Sequence, residues 1–546
     1  MAAAKNNIGK HNKPRSDMKK TFKYSFVLLA MMAGSASAQD IYKVEELSGN
    51  DLNGTARFIG MGGAMGSLGA DLSVMSTNPA GIGLYRRSDF ALTGGVGIQP
   101  NAEDFYDIRK ARASFDQIGF VYAAKLGDDN VKFVNFGFNY QKRRNLKSYI
   151  GVDNFALNGM SQSWQMMDLC YVSNGWLDLS DGSSDRELTT PLALAGYETY
   201  MIDELRDDEG KISGYEPCNS DSYNYQRAKW GGVQQYDFNI SLNYQDQVYA
   251  GLTVGAYNVD IHGYTDYGEK IINPEDNTLH DYFMTNEEHL TGSGFDLKLG
   301  VILRPIETSP FRMGVAIHTP TWYDLKSESY LYMQSPFENA QGRPYSDYGI
   351  DPGVNEYRIR TPWKFNISMA TTVGNYLALD AEYEYSDYST ASISYRDYYD
   401  PYYDSWSGHK DRALNQEIKR FMKPVSTLRI GAEARVADGV YLRAGYNYVS
   451  APMKKDAFLN LFTASSSYYY STNTDYVNLG DINRVTCGLG WRGKHFYADF
   501  AYQYQAQKGD LYTFHVPEDG SEQNRLSAAK VDLNRHNLMF TLGYKF

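Results

Sequence analysis

The feature that most constrains this chain is an alternation of apolar and polar residues with period two, repeated in separate segments down to the last residue. The final segment places Leu538, Phe540, Leu542, Tyr544 and Phe546 on one face, and Asn537, Met539, Thr541 and Lys545 on the other. Phe295, Leu297, Leu299, Val301 and Leu303 repeat the pattern, as do Trp363, Phe365, Ile367 and Met369, and then Phe496, Ala498, Phe500, Tyr502 and Tyr504. Successive side chains of a strand point to opposite faces, so each segment reads as a strand with one apolar face. The opposite faces carry charges such as Asp380, Glu382, Glu384, Arg429, Glu433 and Arg435. In a soluble sandwich that polar face would meet water; in a membrane barrel it lines a lumen.

The connections decide between the two, because they alternate between short and long. Short ones fall at 127–130, 245–247, 304–310, 374–375, 438–439 and 493–494; long polar ones fall at 143–233, 262–293, 323–356, 390–423, 451–479 and 509–532. Tight turns on one rim and long loops on the other are the signature of an outer-membrane barrel, with turns periplasmic and loops extracellular. Counting from Ser88 gives about 14 strands, an even number as bacterial single-chain barrels require. The expected fold is therefore all-β, a transmembrane antiparallel β-barrel over residues 89–546, with 143–233 its longest loop and both termini periplasmic.

Residues 1–38 read as an N-terminal extension and export signal. Lys19, Lys20 and Lys23 precede an apolar run from Phe26 to Met32, and Ala36-Ser37-Ala38 is a small-residue cleavage site. No second apolar run reaches the roughly 18 residues of a membrane-spanning helix. A formal net charge of -12 argues against nucleic acid as a partner. The spacing of Cys170 and Cys218 leaves their pairing open. The nine histidines show no pair at metal-ligand spacing on one face, so no metal site is expected. There is no Gly-x-Ser-x-Gly elbow; no catalytic residues and no cofactor are expected, and the chain does not read as an enzyme.

Between the signal and the first strand, residues 39–88 are of another kind. Eight glycines occur from Gly54 to Gly83 in a small, apolar stretch broken by Asn78-Pro79. Glycines let backbones pack closely, which suits a compact hatch, or plug, at the periplasmic mouth of the lumen. A dinucleotide-binding loop is excluded: Met65 stands where the third glycine of that fingerprint belongs, and no strand precedes it.

The stretch GMGGAMGSLGADLSVMSTNPAGIGLY, directly before a first strand, resembles the N-terminal hatch of the FadL family of outer-membrane transporters, with Asn78, Pro79 and Ala80 its most specific part. The resemblance implies a 14-stranded barrel plugged by its hatch. It also implies passive passage of long-chain fatty acids or other hydrophobic small molecules, by hatch movement and a lateral opening into the bilayer. In that family a kink in the third strand makes the opening; here Gly137 is the candidate, unless it merely accommodates a neighbouring aromatic. The implied partners are a hydrophobic ligand, outer-membrane lipids and, through the terminal Phe546, the barrel-assembly machinery. A monomer is expected. The alternative is a protein-interaction barrel resembling the FadL-like PorV shuttle of type IX secretion, favoured by the size of the 143–233 loop. Tyrosines at 398–399, 402–403 and 468–470 read as loop and interface aromatics, with a carbohydrate platform as the other option. The inward charges read as a salt-bridged lumen or as a ligand site.

Overall fold

The computed structural model describes residues 41–106, 108–127, 130–172, 175–395, 399–400, 405–406, 409–461, 471–518 and 521–546. The expected export signal and the tyrosines at 398, 402–403 and 468–470 lie outside the described residues.

Fourteen strands close into one antiparallel barrel. They are β1 Asp89–Ile98, β2 Ala111–Lys125, β3 Val131–Asn145, β4 Ser220–Tyr244, β5 Val248–Ile272 and β6 Leu279–Leu303. β7 has two pieces, Arg312–His318 and Trp322–Ser335, and so has β8, Val354–Arg360 and Lys364–Val373. β9 Leu377–Asp387, β10 Pro424–Ala437, β11 Val440–Val449, β12 Ile482–Arg492, β13 Phe496–Ala506 and β14 Arg535–Lys545 complete the wall. Ten consecutive pairs, from Asp89↔Lys545 to Ile98↔His536, close β14 onto β1. The breaks in β7 and β8 lie side by side at Pro320 and Pro362, which have no N–H to give a ladder; Thr321 bridges them by donating its N–H to Thr361 Oγ1 at 2.8 Å.

Every strand turns a large apolar side chain outward, such as Leu92 on β1, Leu299 on β6, Ile367 on β8 and Leu542 on β14. No described helix is long and apolar enough to cross a membrane. A closed ring with an apolar exterior satisfies most of its backbone groups within itself, as a lipid-facing wall must. The six short connections all fall on one rim.

The long connections differ from the sequence expectation. β4, β5 and β6 are each 25 residues long, whereas about 9–11 residues cross a bilayer. Much of 262–293 is therefore hairpin, with a true turn only at 273–278, and 143–233 contains the start of β4 and a further strand, Ser148–Ala156, paired to it. The reason is an inversion of polarity. On β5 Leu252 and Val254 face outward and Thr253 inward; further along, Val259, Ile261 and Tyr267 are buried inside while Asp260, His262 and Asp266 face out. Where lipid gives way to water, the apolar face swaps sides. The inner apolar faces meet the helices Gln162–Leu169, Pro191–Glu198 and Arg412–Phe421 in one large buried cluster that caps the loop rim.

The plug also differs in placement. It is not confined to the turn rim but runs the length of the lumen. The helix Ile41–Ser48 sits in the cap cluster through Ile41, Val44 and Leu47, and Lys43 pairs with Glu288 of β6 at 2.6 Å. Burial beside Lys229 and Lys43 leaves Glu46 of this helix with a pKa of about 2; burial alone would raise it, and the two ammonium groups more than reverse that. The chain then descends, through the helix Ala56–Gly60 and two short 3₁₀ turns at Leu72–Ser76 and Pro79–Leu84, to Tyr85 beside the turn rim.

Candidate functional site

Asn78, Pro79 and Ala80 come together with four strands of the wall. Asn78 caps the last 3₁₀ turn, its Oδ1 accepting from Ala80 N at 3.2 Å, while its Nδ2 donates to Gly66 O at 2.8 Å. Pro79 O accepts from Ser241 Oγ of β4 at 2.8 Å. The facing wall positions are glycines. A Cβ on Gly300 of β6 would lie 2.1 Å from Asn78 Oδ1, on Gly251 of β5 2.5 Å from the Pro79 backbone, and on Gly314 of β7 2.8 Å from Asn78 Nδ2. Wall and triplet are thus fitted to each other at backbone distance.

The rest of the plug is held by charge. Gly66 N donates to Glu382, and Ser67 N and Leu68 N both donate to Asp380, at 2.8–3.1 Å. Arg57 forms a bidentate pair with Glu433 at 2.9 Å, and Glu433 also accepts from Arg443 at 2.6 Å. Arg429 pairs with Glu382 and Glu384. The inward charges of β9 and β10 therefore form a salt-bridged lumen; Arg435 is the exception, at the rim with Asp438. Sequence reading missed Lys298 of β6, which is buried between Asp237 and Asp296 at 3.0 and 2.8 Å, with Tyr257 donating to Asp296 at 2.6 Å. One lysine two residues from an aspartate on an inward face was the available signal.

Gly137 is not where the wall is interrupted. Its ladder is continuous on both sides, paired to Val121 of β2 and Asn239 of β4. It is a glycine because Met75 of the plug occupies the space: a Cβ there would lie 2.3 Å from the methionine methyl carbon. The interruption lies further along. Pairing of β2 with β3 ends at Gln117↔Gln141; beyond it, 111–115 pair only with β1, and 142–145 only with β4. Two bulges flank the split, at Asp116 between Gln117 and Phe115, and at Arg143 between Lys142 and Arg144. A bulge re-aims a side chain and ends pairing. Asp116 and Arg143 are both buried, and Arg143 donates to Asn50 of the plug at 2.7 Å. The loop after β1 straps the split from above, where Gln99 exchanges two hydrogen bonds with Tyr149.

Behind the split is a cavity of about 80 Å³ lined by Leu52, Ile98, Ile108, Ala113, Asp116 and Arg535 among others. Two further lumen cavities measure about 90 and 150 Å³, and both are lined largely by charged and polar groups. Ligand pockets for drug-sized molecules run to roughly 300–1,000 Å³. The lumen as it stands is closed. Sequence reading also missed that His262 and His289, 27 residues apart, are direct cross-strand partners on the outer face of β5 and β6.

These features define a plugged, 14-stranded transmembrane barrel with a split between its second and third strands. No known family profile matches the chain, and no curated protein matches its sequence. Among solved structures it is similar to the toluene transporter TbuX of Ralstonia pickettii, at 14% identity and a TM-score of 0.45, with 91% of this chain and 99% of that one covered. A FadL homologue of Pseudomonas aeruginosa has 12% identity and a TM-score of 0.49, with 91% and 100% covered. The toluene transporter TodX of Pseudomonas putida has 12% and 0.43, with 91% and 99% covered.

Proposed function

We propose that the protein is a passive outer-membrane channel for hydrophobic or amphiphilic small molecules, with long-chain fatty acids the first class to test. Ligand passes the lumen when the plug shifts, and crosses the wall between β2 and β3. The turn rim and both termini face the periplasm, and the chain works as a monomer. The observation that carries this reading is the split beyond Gln117↔Gln141, with a cavity directly behind it and the plug residues Leu52 and Asn53 in that cavity's lining. A split in an otherwise closed ring leaves backbone groups without ladder partners, which lipid disfavours strongly; two bulges and a strap maintain it here. The lumen voids are too small for a fatty acid, so passage requires the plug to rearrange.

The experiment is uptake of a fluorescent long-chain fatty acid and of a monoaromatic probe by cells expressing the intact chain, a deletion of residues 78–80, or Ser114→Trp, which fills the split from inside. Uptake should exceed an empty vector only for the intact chain, with all three forms still heat-modifiable barrels. No uptake by the intact chain, or undiminished uptake by Ser114→Trp, refutes the reading. The folded cap favours a second one, a surface barrel that binds a protein and passes nothing; cargo capture lost on excising residues 160–215 would support it.

A further inference from the structure

Beyond the apolar band, β5 and β6 carry a cluster that plays no part in the lumen. His262 pairs directly with His289, and Asp260 precedes His262 by two residues on the same outward face. The two imidazole rings are parallel within 10°, with centroids 4.0 Å apart. Asp260 Oδ1 lies 3.2 Å from His262 Nε2 and 3.0 Å from His289 Nε2. One donor atom from each of the three residues falls within 4.8 Å of the others. Around a tetrahedral dication with bonds of about 2.0–2.2 Å, neighbouring donor atoms are about 3.3 Å apart, so both nitrogen–oxygen edges are already close to that length.

The simpler account is one hydrogen bond between His289 Nε2 and Asp260 Oδ1, with the rings merely continuing a stack that begins at Trp230, 5.2 Å from His262. It explains the ring planes. It does not explain why His262 Nε2 also lies 3.2 Å from that oxygen, at the edge of an open recess. That recess, about 520 Å³, is lined by Glu287, Glu288, Glu328 and Asp351, of which Glu288 pairs with Lys43 and Glu328 with Lys326. His289 is the direct cross-strand partner of Glu328 on β7, which places a carboxylate in the same row as the two histidines. The scaffold is stiff: β5 and β6 pair without interruption from Val248↔Leu303 to Ile272↔Leu279.

We propose that Asp260, His262 and His289 form a surface site for a borderline transition-metal dication, zinc or copper(II). Two imidazoles and one carboxylate suit these ions, whereas calcium and magnesium favour all-oxygen shells. The remaining coordination positions face the recess and are open to water or an external ligand. An ion there staples β5 to β6 outside the membrane.

The test is isothermal titration of zinc into the full chain, purified in detergent without a polyhistidine tag and stripped with chelator. The comparison proteins are Asp260→Asn and the double variant His262→Ala/His289→Ala, each first shown to keep the heat-modifiability of the parent. Loss of an outer partner of a metal ligand already costs about 10–100-fold in affinity, so Asp260→Asn should weaken binding at least about tenfold. The double variant should lose one equivalent. The asparagine variant keeps the side-chain shape, and so separates lost coordination from lost packing. Equal stoichiometry and affinity in all three proteins, absence of zinc binding by the parent, or equal competition by magnesium overturns the site.

Discussion

Asn78→Ala should loosen the plug without loosening the barrel. Asn78 is wholly buried, and its carboxamide serves two partners, capping the turn at Ala80 N and donating to Gly66 O. Loss of an N-cap costs about 0.5–2 kcal/mol. A buried carbonyl left without its donor costs about 1–3 kcal/mol. Taken together, about 1.5–5 kcal/mol is removed from docking of the segment around Gly66–Leu84, and none from the ladder, since Asn78 bonds no strand. With each 1.4 kcal/mol worth about a factor of ten, the undocked population should rise about 10- to 4,000-fold. Amide hydrogen exchange reads this directly. Peptides from 60–84 should lose protection by that factor, while the closing pair β1 and β14 keeps theirs. Gly300→Ala attacks the same seat from the wall, overpacking it by about 1–3 kcal/mol, and should expose the same peptides. Unchanged exchange in 60–84, or equal loss in β1 and β14, refutes the idea that the triplet docks the plug separately from the wall.

Unheated and boiled samples should migrate differently in SDS gels, because the ring from β1 to β14 has no free edge to start unravelling; identical mobility counts against closure. Lys298→Met leaves Asp237 buried without its cation, at about 3–5 kcal/mol, while Asp296 keeps Arg143 at 4.0 Å, and should lower the temperature of the gel-shift transition; adding Asp237→Asn should recover much of the loss, and failure to do so argues against an ion-pair origin. Removing Phe546, whose N–H donates to Ser88 O at 3.0 Å across the seam, should lower outer-membrane levels more than Tyr345→Ala in the cap, and equal levels would contradict this. His515, stacked on Phe458 in the cap, has its pKa pushed down to about 4 by burial. The unfolded imidazole takes up a proton near 6.5 and the folded one only near 4, so stability should fall as pH drops through that window; His515→Phe should flatten this part of the profile, and an unchanged profile removes His515 as its source.

What could be read from the sequence follows the solvent. Along the membrane half, lipid demands an apolar outer face and the lumen a polar inner one, so Phe295 to Leu303 and Leu538 to Phe546 announce themselves as strands. Beyond Ala256 the same strand keeps period two but buries Val259 and Ile261 inward and shows Asp260 and His262 outward. A search tuned to one polarity reads the continuation as loop. That error hid the histidine pair: His262 and His289 each stand ten residues in from the hairpin ends Ile272 and Leu279, which is legible only once the hairpin is known to continue. Gly137 is open to two readings in the sequence, a kink or a close approach. A glycine in a strand marks a close approach or a bulge, and the sequence alone could not show that Met75 would fill the space. The bulges at Asp116 and Arg143 carry no such flag, because a charged residue in an alternating run looks like an ordinary inward position.

The charge pattern of the lumen limits how the plug can move. Asp380 and Glu382 receive the amides of Gly66, Ser67 and Leu68, and Glu433 receives Arg57. Expelling the whole plug would strip those carboxylates of their donors inside a narrow lumen, at a cost of about 1–3 kcal/mol or more for each lost charged hydrogen bond. The segment beside the split is held differently. Its partners lie mostly on β3: Asn50 accepts from Arg143 at 2.7 Å, Asp51 accepts from Asn145 N at 2.8 Å, and Asn53 donates to Lys142 O, while Leu52 makes apolar contact. A ligand reaching the cavity behind β2 and β3 therefore acts first on Asp51, Leu52 and Asn53, which line it and are bonded to the split strand β3, and not on the Gly-rich segment seated on the wall glycines. Movement of the plug is expected to be local, a rearrangement at the split rather than ejection from the barrel. Exchange measurements during ligand addition should accordingly show loss of protection at 49–55 with 60–84 unchanged, and loss across both segments would mean that the plug leaves as a unit.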